Sequence, residues 1–131
     1  MNQKKILIMS LLVLFVAGIS LSAVSASNVK TIKISKKNDD VLKKLKNGDT
    51  LRVVYATNNG EFDRGVNVFA ACYKGGEING AKKTKITKTK VYFKKNKKIK
   101  VTTKKVKKNF IKINLIKGYT PYKVKIWYKN K

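Results

Sequence analysis

In the second half of the chain, apolar residues and lysines take turns. Ile99, Val101 and Thr103 alternate with Lys98 and Lys100, and Ile111, Ile113 and Leu115 flank Lys112. Tyr122, Val124, Ile126 and Tyr128 alternate with Lys123, Lys125 and Lys129. A repeat of two belongs to a strand whose side chains leave on opposite faces, so this half should build sheet with one buried face and one basic, solvated face. The strand-like segments centre near Thr89, Val101, Ile113 and Lys125, an even spacing that predicts a meander within a sandwich or small barrel. The lone proline, Pro121, stands at the entrance to the last strand, where its missing N–H does least harm.

Upstream, Val29–Ile34 reads as a first strand, Leu51–Tyr55 as a second and Val66–Tyr73 as a third. Asn58-Asn59-Gly60, Lys74-Gly75-Gly76 and Asn79-Gly80 supply turns. Asn38-Asp39-Asp40 precedes Val41, Leu42 and Leu45, and Asn47-Gly48 follows. Capping residues, apolar positions one turn apart and a glycine stop predict a short helix there. The expected fold is all-β: a small antiparallel β-sandwich of about seven strands with one short helix near the N-terminus.

The chain opens Met1-Asn2-Gln3-Lys4-Lys5, continues apolar from Ile6 to Leu21, and reaches Ser22-Ala23-Val24-Ser25-Ala26. Charged start, apolar middle and small-residue end describe a secretory signal over residues 1–26, with cleavage expected after Ala26. The remainder, 27–131, fits one domain. The expected location is therefore secreted or associated with a cell surface.

Charge bears on the partner. The chain holds 32 basic and six acidic residues, a net charge of +26. From Lys82 to Lys131 there are twenty lysines and no acid. Repulsion on that scale is relieved by salt or by a polyanion, so the expected partner is a wall polymer or acidic glycan, or else an anionic membrane or nucleic acid. Only Arg52 and Arg64 are arginine. Lysine is a mobile point charge without arginine's planar fork, which favours diffuse adhesion over reading of a defined ligand.

Lys90–Lys131 resembles the immunoglobulin-like repeat of exported adhesin-like surface proteins of methanogenic archaea. The matching features are Val91-Tyr92-Phe93, Ile99-Lys100-Val101-Thr102-Thr103, Ile111-Lys112-Ile113-Asn114-Leu115, and Gly118 before Tyr122-Lys123-Val124-Lys125-Ile126-Trp127-Tyr128. The resemblance implies an extracellular Ig-like β-sandwich module without a catalytic site.

The residues themselves also argue against catalysis. No histidine is present, which excludes a triad or a His-containing metal site. The acids, Asp39, Asp40, Asp49, Glu61, Asp63 and Glu77, fall in expected turns or at the expected helix start. Asn58, Asn59, Glu61 and Asp63 offer oxygen ligands for calcium, but a solvated hairpin explains them better. We therefore expect neither enzyme activity nor a cofactor. Cys72 lies in phase with Val66, Val68 and Ala70 on one strand face. It reads as a small buried hydrophobe, with an intermolecular disulfide dimer as the sharper alternative.

The binding residues selected by alternation are Trp127, Lys123, Lys125, Lys129, Lys112, Lys98 and Lys100. Trp127 shares the lysine phase of the last strand. An aromatic ring there could stack on a sugar or base while its neighbours hold anionic groups. The competing role is a ring covered by the N-terminal strand or lying over lysine stems. Two functions follow from these features: a secreted adhesin-like surface protein held by charge, or a cationic effector acting on anionic membranes or nucleic acid.

Overall fold

Leu51, Val53 and Tyr55 alternate with the half-buried Arg52, Val54 and Ala56, and all three lie in the core. Their strand pairs with one carrying Val66, Val68 and Ala70, which point the same way. The computed structural model describes residues 28–131, so the expected signal segment lies outside the described residues. Nine strands are present in that range: β1 (Asn28–Lys33), β2 (Asp40–Lys44), β3 (Thr50–Ala56), β4 (Gly65–Lys74), β5 (Glu77–Gly80), β6 (Thr84–Lys95), β7 (Lys98–Lys105), β8 (Phe110–Ile113) and β9 (Thr120–Asn130). They form two antiparallel sheets. One is four-stranded in the order β1-β9-β6-β7, and the other runs β2-β3-β4-β5 with β8 also paired to β4. The fold is a small all-β sandwich. Its core joins Ile32, Ile86, Val91, Phe93, Val124 and Ile126 from the first sheet to Leu51, Val53, Val66, Val68 and Ile113 from the second.

Three expectations need correction. The helix expected over the Asp39–Asn47 region is absent, and Asp40–Lys44 is instead the edge strand β2, paired in register with Thr50–Val54. The Asn47-Gly48 turn closes this hairpin, and a long hydrogen-bonded neighbour outweighs the weak local preference of a two-turn helix. The C-terminal half is not a meander either. After the β6–β7 hairpin the chain crosses to the other sheet as β8, then returns as β9 between β1 and β6.

The third correction concerns β7. Ile99 and Val101 are not buried; they are 59% and 44% exposed. The two-residue turn Asn96-Lys97, with Asn96 at φ 55°, pairs Lys94 with Ile99 and Tyr92 with Val101. Tyr92 and Lys94 face outward, so Ile99, Val101 and Thr103 do too. Lys98 and Lys100 take the inward phase at the sheet edge. The turn sets the register, and a strand bonded on one side only has little burial to oppose it.

Asn109 ties the crossing to both sheets. It sits at φ 57°, a left-handed conformation that asparagine tolerates. Its side chain continues the ladder beyond the end of β7: Oδ1 accepts from the Ile86 N–H at 2.7 Å, and Nδ2 donates to the Thr84 carbonyl at 2.9 Å. Its own carbonyl accepts from the Ala70 N–H on β4 at 3.1 Å. Asn109→Ala strands partly buried backbone groups of β6, so we expect a stability loss of about 2 kcal/mol, read by urea denaturation.

Candidate functional site

The register of the first sheet decides which residues share its outer face. Across the strands, Val29, Trp127, Lys88 and Lys105 form one row, and Thr31, Lys125, Lys90 and Thr103 the next. Lys33, Lys123, Tyr92 and Val101 form the third, beside Lys94 and Ile99. Lys85 and Lys129 pair at one end. The face thus carries Lys33, Lys85, Lys88, Lys90, Lys94, Lys105, Lys123, Lys125 and Lys129, and no acid.

Two irregularities shape this face. Between Ile86 and Lys88 the extra residue is Thr87, whose hydroxyl donates to the Trp127 carbonyl at 3.2 Å. Between Tyr92 and Phe93 the extra residue is Tyr122, because Tyr92 pairs with Lys123 and Phe93 with Pro121. Tyr122 was expected to point inward with Val124 and Ile126. The bulge turns it outward, where it meets Tyr92 edge-on at a centroid distance of 6.3 Å. Alternation alone could not find Tyr92 or Tyr122 as surface aromatics. Tyr92 stands in the unbroken apolar run Val91-Tyr92-Phe93, to which alternation assigns no face, and a bulge breaks the period that would have placed Tyr122.

Lysines cover the rings. The Lys88 ammonium lies 4.2 Å from the centre of the Trp127 ring and that of Lys90 lies 5.9 Å away. Lys123 stands 4.3 Å from the Tyr92 ring, and Lys94 stands 5.1 Å from Tyr122. Trp127 is half-buried, flanked by these lysines and by Val29 across the β1 pairing. With no carboxylate on the face, aromatic quadrupoles are the groups available to attract these ammoniums. That attraction is weak, on the order of 1 kcal/mol at exposed sites, so an arriving anion can take the lysines over.

Of the residues chosen by alternation, the structure brings together Trp127, Lys123, Lys125 and Lys129. It does not bring Lys98, Lys100 or Lys112 to them. Lys100 lies 4.9 Å from the Tyr119 ring on the inward side of β7, and Lys98 shares its phase. Lys112 lies opposite Asn67 on the outer face of the other sheet.

The acids are placed elsewhere. Asp49 is 1% exposed and accepts from the backbone N–H groups of Lys82 and Lys83. Asp40 grips Arg52 through two hydrogen bonds, at 2.8 and 2.6 Å. Glu61 and Asp63 are exposed in the loop between β3 and β4, where Asn59 spends its side chain on the Arg64 N–H and the Asp63 carbonyl accepts from buried Asn67. Among the described residues, no three His, Cys, Asp or Glu side chains gather as a metal would require. Cys72 is half-buried with a free thiol. Among the described residues, no helix is long and apolar enough to cross a membrane.

The fold and this face define a small β-sandwich with one cationic, aromatic-studded sheet surface. Scans of family models, of curated proteins and of solved structures return no significant match.

Proposed function

We propose that this protein is an exported, non-enzymatic, adhesin-like binding module that lays an anionic polymer across the outer face of its four-stranded sheet. One observation carries the reading: nine lysines and three aromatic rings share a sheet face that holds no acid. Lysines supply attraction without a fixed geometry, and the rings offer stacking surfaces to whatever the lysines hold. Strand β7 and the β6–β7 turn extend the same charge past the sheet edge. The leader-like residues 1–26 and the likeness of residues 90–131 to archaeal surface repeats favour a cell-surface setting, with wall polymer or acidic glycan as the ligand.

The test is binding of Ser27–Lys131, which contains all nine strands, to an immobilised acidic polysaccharide across a salt series. Affinity should fall steeply with salt, as expected when counterions are displaced. Trp127→Ala should weaken binding by about tenfold at low salt, the size of one stacking contact. Retention that is unchanged at one molar salt would overturn the reading. Stronger binding to single-stranded DNA or to anionic vesicles than to polysaccharide would move the ligand to the cationic-effector class.

A further inference from the structure

Four connections meet at one pole of the sandwich. Lys33 lies opposite Lys123, Lys94 opposite Thr120, Ala56 opposite Gly65 and Val66 opposite Ile113, so the β1–β2, β6–β7, β3–β4 and β8–β9 connections all leave the strands at this end. Among them opens a cleft of about 740 Å³, the size of a small-molecule site. Arg64 lines it beside the β8–β9 loop, a position that Gly65 makes possible. At Gly65, φ is 141° and a Cβ would stand 2.8 Å from the Ile113 carbonyl, so glycine lets the two backbones come this close. The Arg64 N–H donates to the Asn59 side chain at 2.8 Å, and Nε donates to the Thr57 carbonyl at 3.1 Å. The guanidinium is thus anchored by one edge, while its two terminal nitrogens have no partner among the described residues.

The other groups lining the cleft suit a ring that carries an anion. Lys36 and Lys117 bring two more charges. Lys95 reaches the same loop, its ammonium 3.6 Å from the point where a Cβ on Gly118 would stand. Tyr55 and Tyr119 offer aromatic surface, Leu115 and Ile116 an apolar wall, and Thr57 a hydroxyl. One acid, Asp39, borders the adjoining hollow with Lys36 and makes no ion pair among the described residues. Three lining cations against one neighbouring carboxylate leave the cleft positive. Arg52 has no such freedom, because its Nε and Nη2 both hold Asp40.

We propose that this cleft binds the terminal uronate of an acidic glycan, Arg64 holding the sugar carboxylate with its two free arms while the tyrosine rings receive the apolar face of the sugar. A planar carboxylate matches the planar guanidinium fork, which an ammonium cannot imitate. Given the acidic-glycan reading above, on which this assignment rests, the protein holds its ligand in two ways. The lysines of the sheet face hold any stretch of polymer by charge, whereas the cleft recognises an end. Ends are scarce on a long polymer, so the face governs affinity there and the cleft governs short acidic sugars.

The test is an amide NMR titration of Ser27–Lys131 with sodium glucuronate at a constant ionic strength of about 0.15 M, where screening weakens the pull of the sheet face on a single charge. Saturable shifts are expected at Thr57, Arg64 and Lys117–Thr120, with a dissociation constant of about 1 mM for a ligand this small. Glucose, which lacks the carboxylate, should give none. Arg64→Lys keeps the charge and removes the fork, so it should weaken glucuronate binding about tenfold and leave long-polymer binding unchanged. Replacing Lys88, Lys90, Lys123 and Lys125 with glutamine should do the reverse, sparing glucuronate while long polymer is lost. Failure of the cleft and failure of the polyanion face therefore read out separately. The dispersion of each amide spectrum shows that the variants fold. No saturable shift up to about 50 mM glucuronate, shifts centred on β6 and β9, equal binding of glucose, or equal affinity in Arg64→Lys would overturn the proposal.

Discussion

Replacing Lys88, Lys90, Lys123 and Lys125 together with glutamine is expected to lower affinity for an acidic polymer by about three orders of magnitude at low salt. Each lysine near an anionic surface adds about 1 kcal/mol, so four contribute about 4 kcal/mol. The four lie on adjacent central strands, around the Trp127 and Tyr92 rings. The deciding control removes equal charge from elsewhere: Lys98, Lys100, Lys112 and Lys117 to glutamine. Two of these occupy the inward side of β7, and Lys112 belongs to the other sheet. If the outer face is the site, the control loses less than about tenfold. Equal losses would mean that charge acts from the whole surface, and the face would lose its special role. Salt adds a second check. The slope of log affinity against log salt should flatten in the face variant and change little in the control, because fewer counterions are then displaced at the contact.

The control set includes three lysines that alternation had selected for the binding surface, which shows where sequence reading stops. Alternation found β1, β3, β4 and β9, and it put Trp127, Lys123, Lys125 and Lys129 on one face, because β9 lies between two partners above a packed core. It failed on β7 for the same physical reason in reverse. Residues 98–105 alternate correctly, but the pattern of an edge strand is not anchored by burial, and the Asn96-Lys97 turn chose the opposite phase. Tyr122 was lost to a one-residue bulge, which resets the phase without any mark in composition. Asp40–Lys44 satisfies a helical pattern as well as a strand pattern over five residues, and only its pairing with β3 decides between them. The crossing of β8 to the second sheet was also illegible. Asn109 enables it by bonding to both sheets, yet in sequence it is one more polar residue after a lysine run.

Asp49 is expected to be the most costly single polar residue to remove, and Asp49→Ala should destabilise the fold by about 3 kcal/mol. The residue is 1% exposed just before β3, and its carboxylate accepts from the N–H groups of Lys82 and Lys83 at 3.1 and 2.8 Å. Those donors belong to the segment that carries the chain from β5 into β6, so the residue fastens one sheet to the other. Asn47 completes the junction by donating to the Thr84 hydroxyl and accepting from the Asp49 N–H. Alanine would leave two partly buried N–H groups without an acceptor, each costing about 1–3 kcal/mol. Burial by itself raises the Asp49 carboxyl. The hydrogen bonds from the Thr84 side chain and from the Lys82, Lys83 and Thr84 backbone outweigh it and hold the group below its ordinary value of 3.8. A carboxyl whose pKa is lower folded than unfolded stabilises fully above the unfolded value and loses that contribution as pH falls through the folded one. Asp49→Asn keeps one acceptor but cannot ionise, so it separates the two effects. Its stability deficit against wild type, from urea denaturation at constant salt, should be constant above about pH 5 and shrink steadily below about pH 4. Constant salt matters because protonating the remaining acids raises self-repulsion in both proteins alike. A deficit that stays level through the acid range would show that the ionised carboxylate contributes nothing beyond its shape, and a loss below about 1 kcal/mol for Asp49→Ala would show that the junction holds without it.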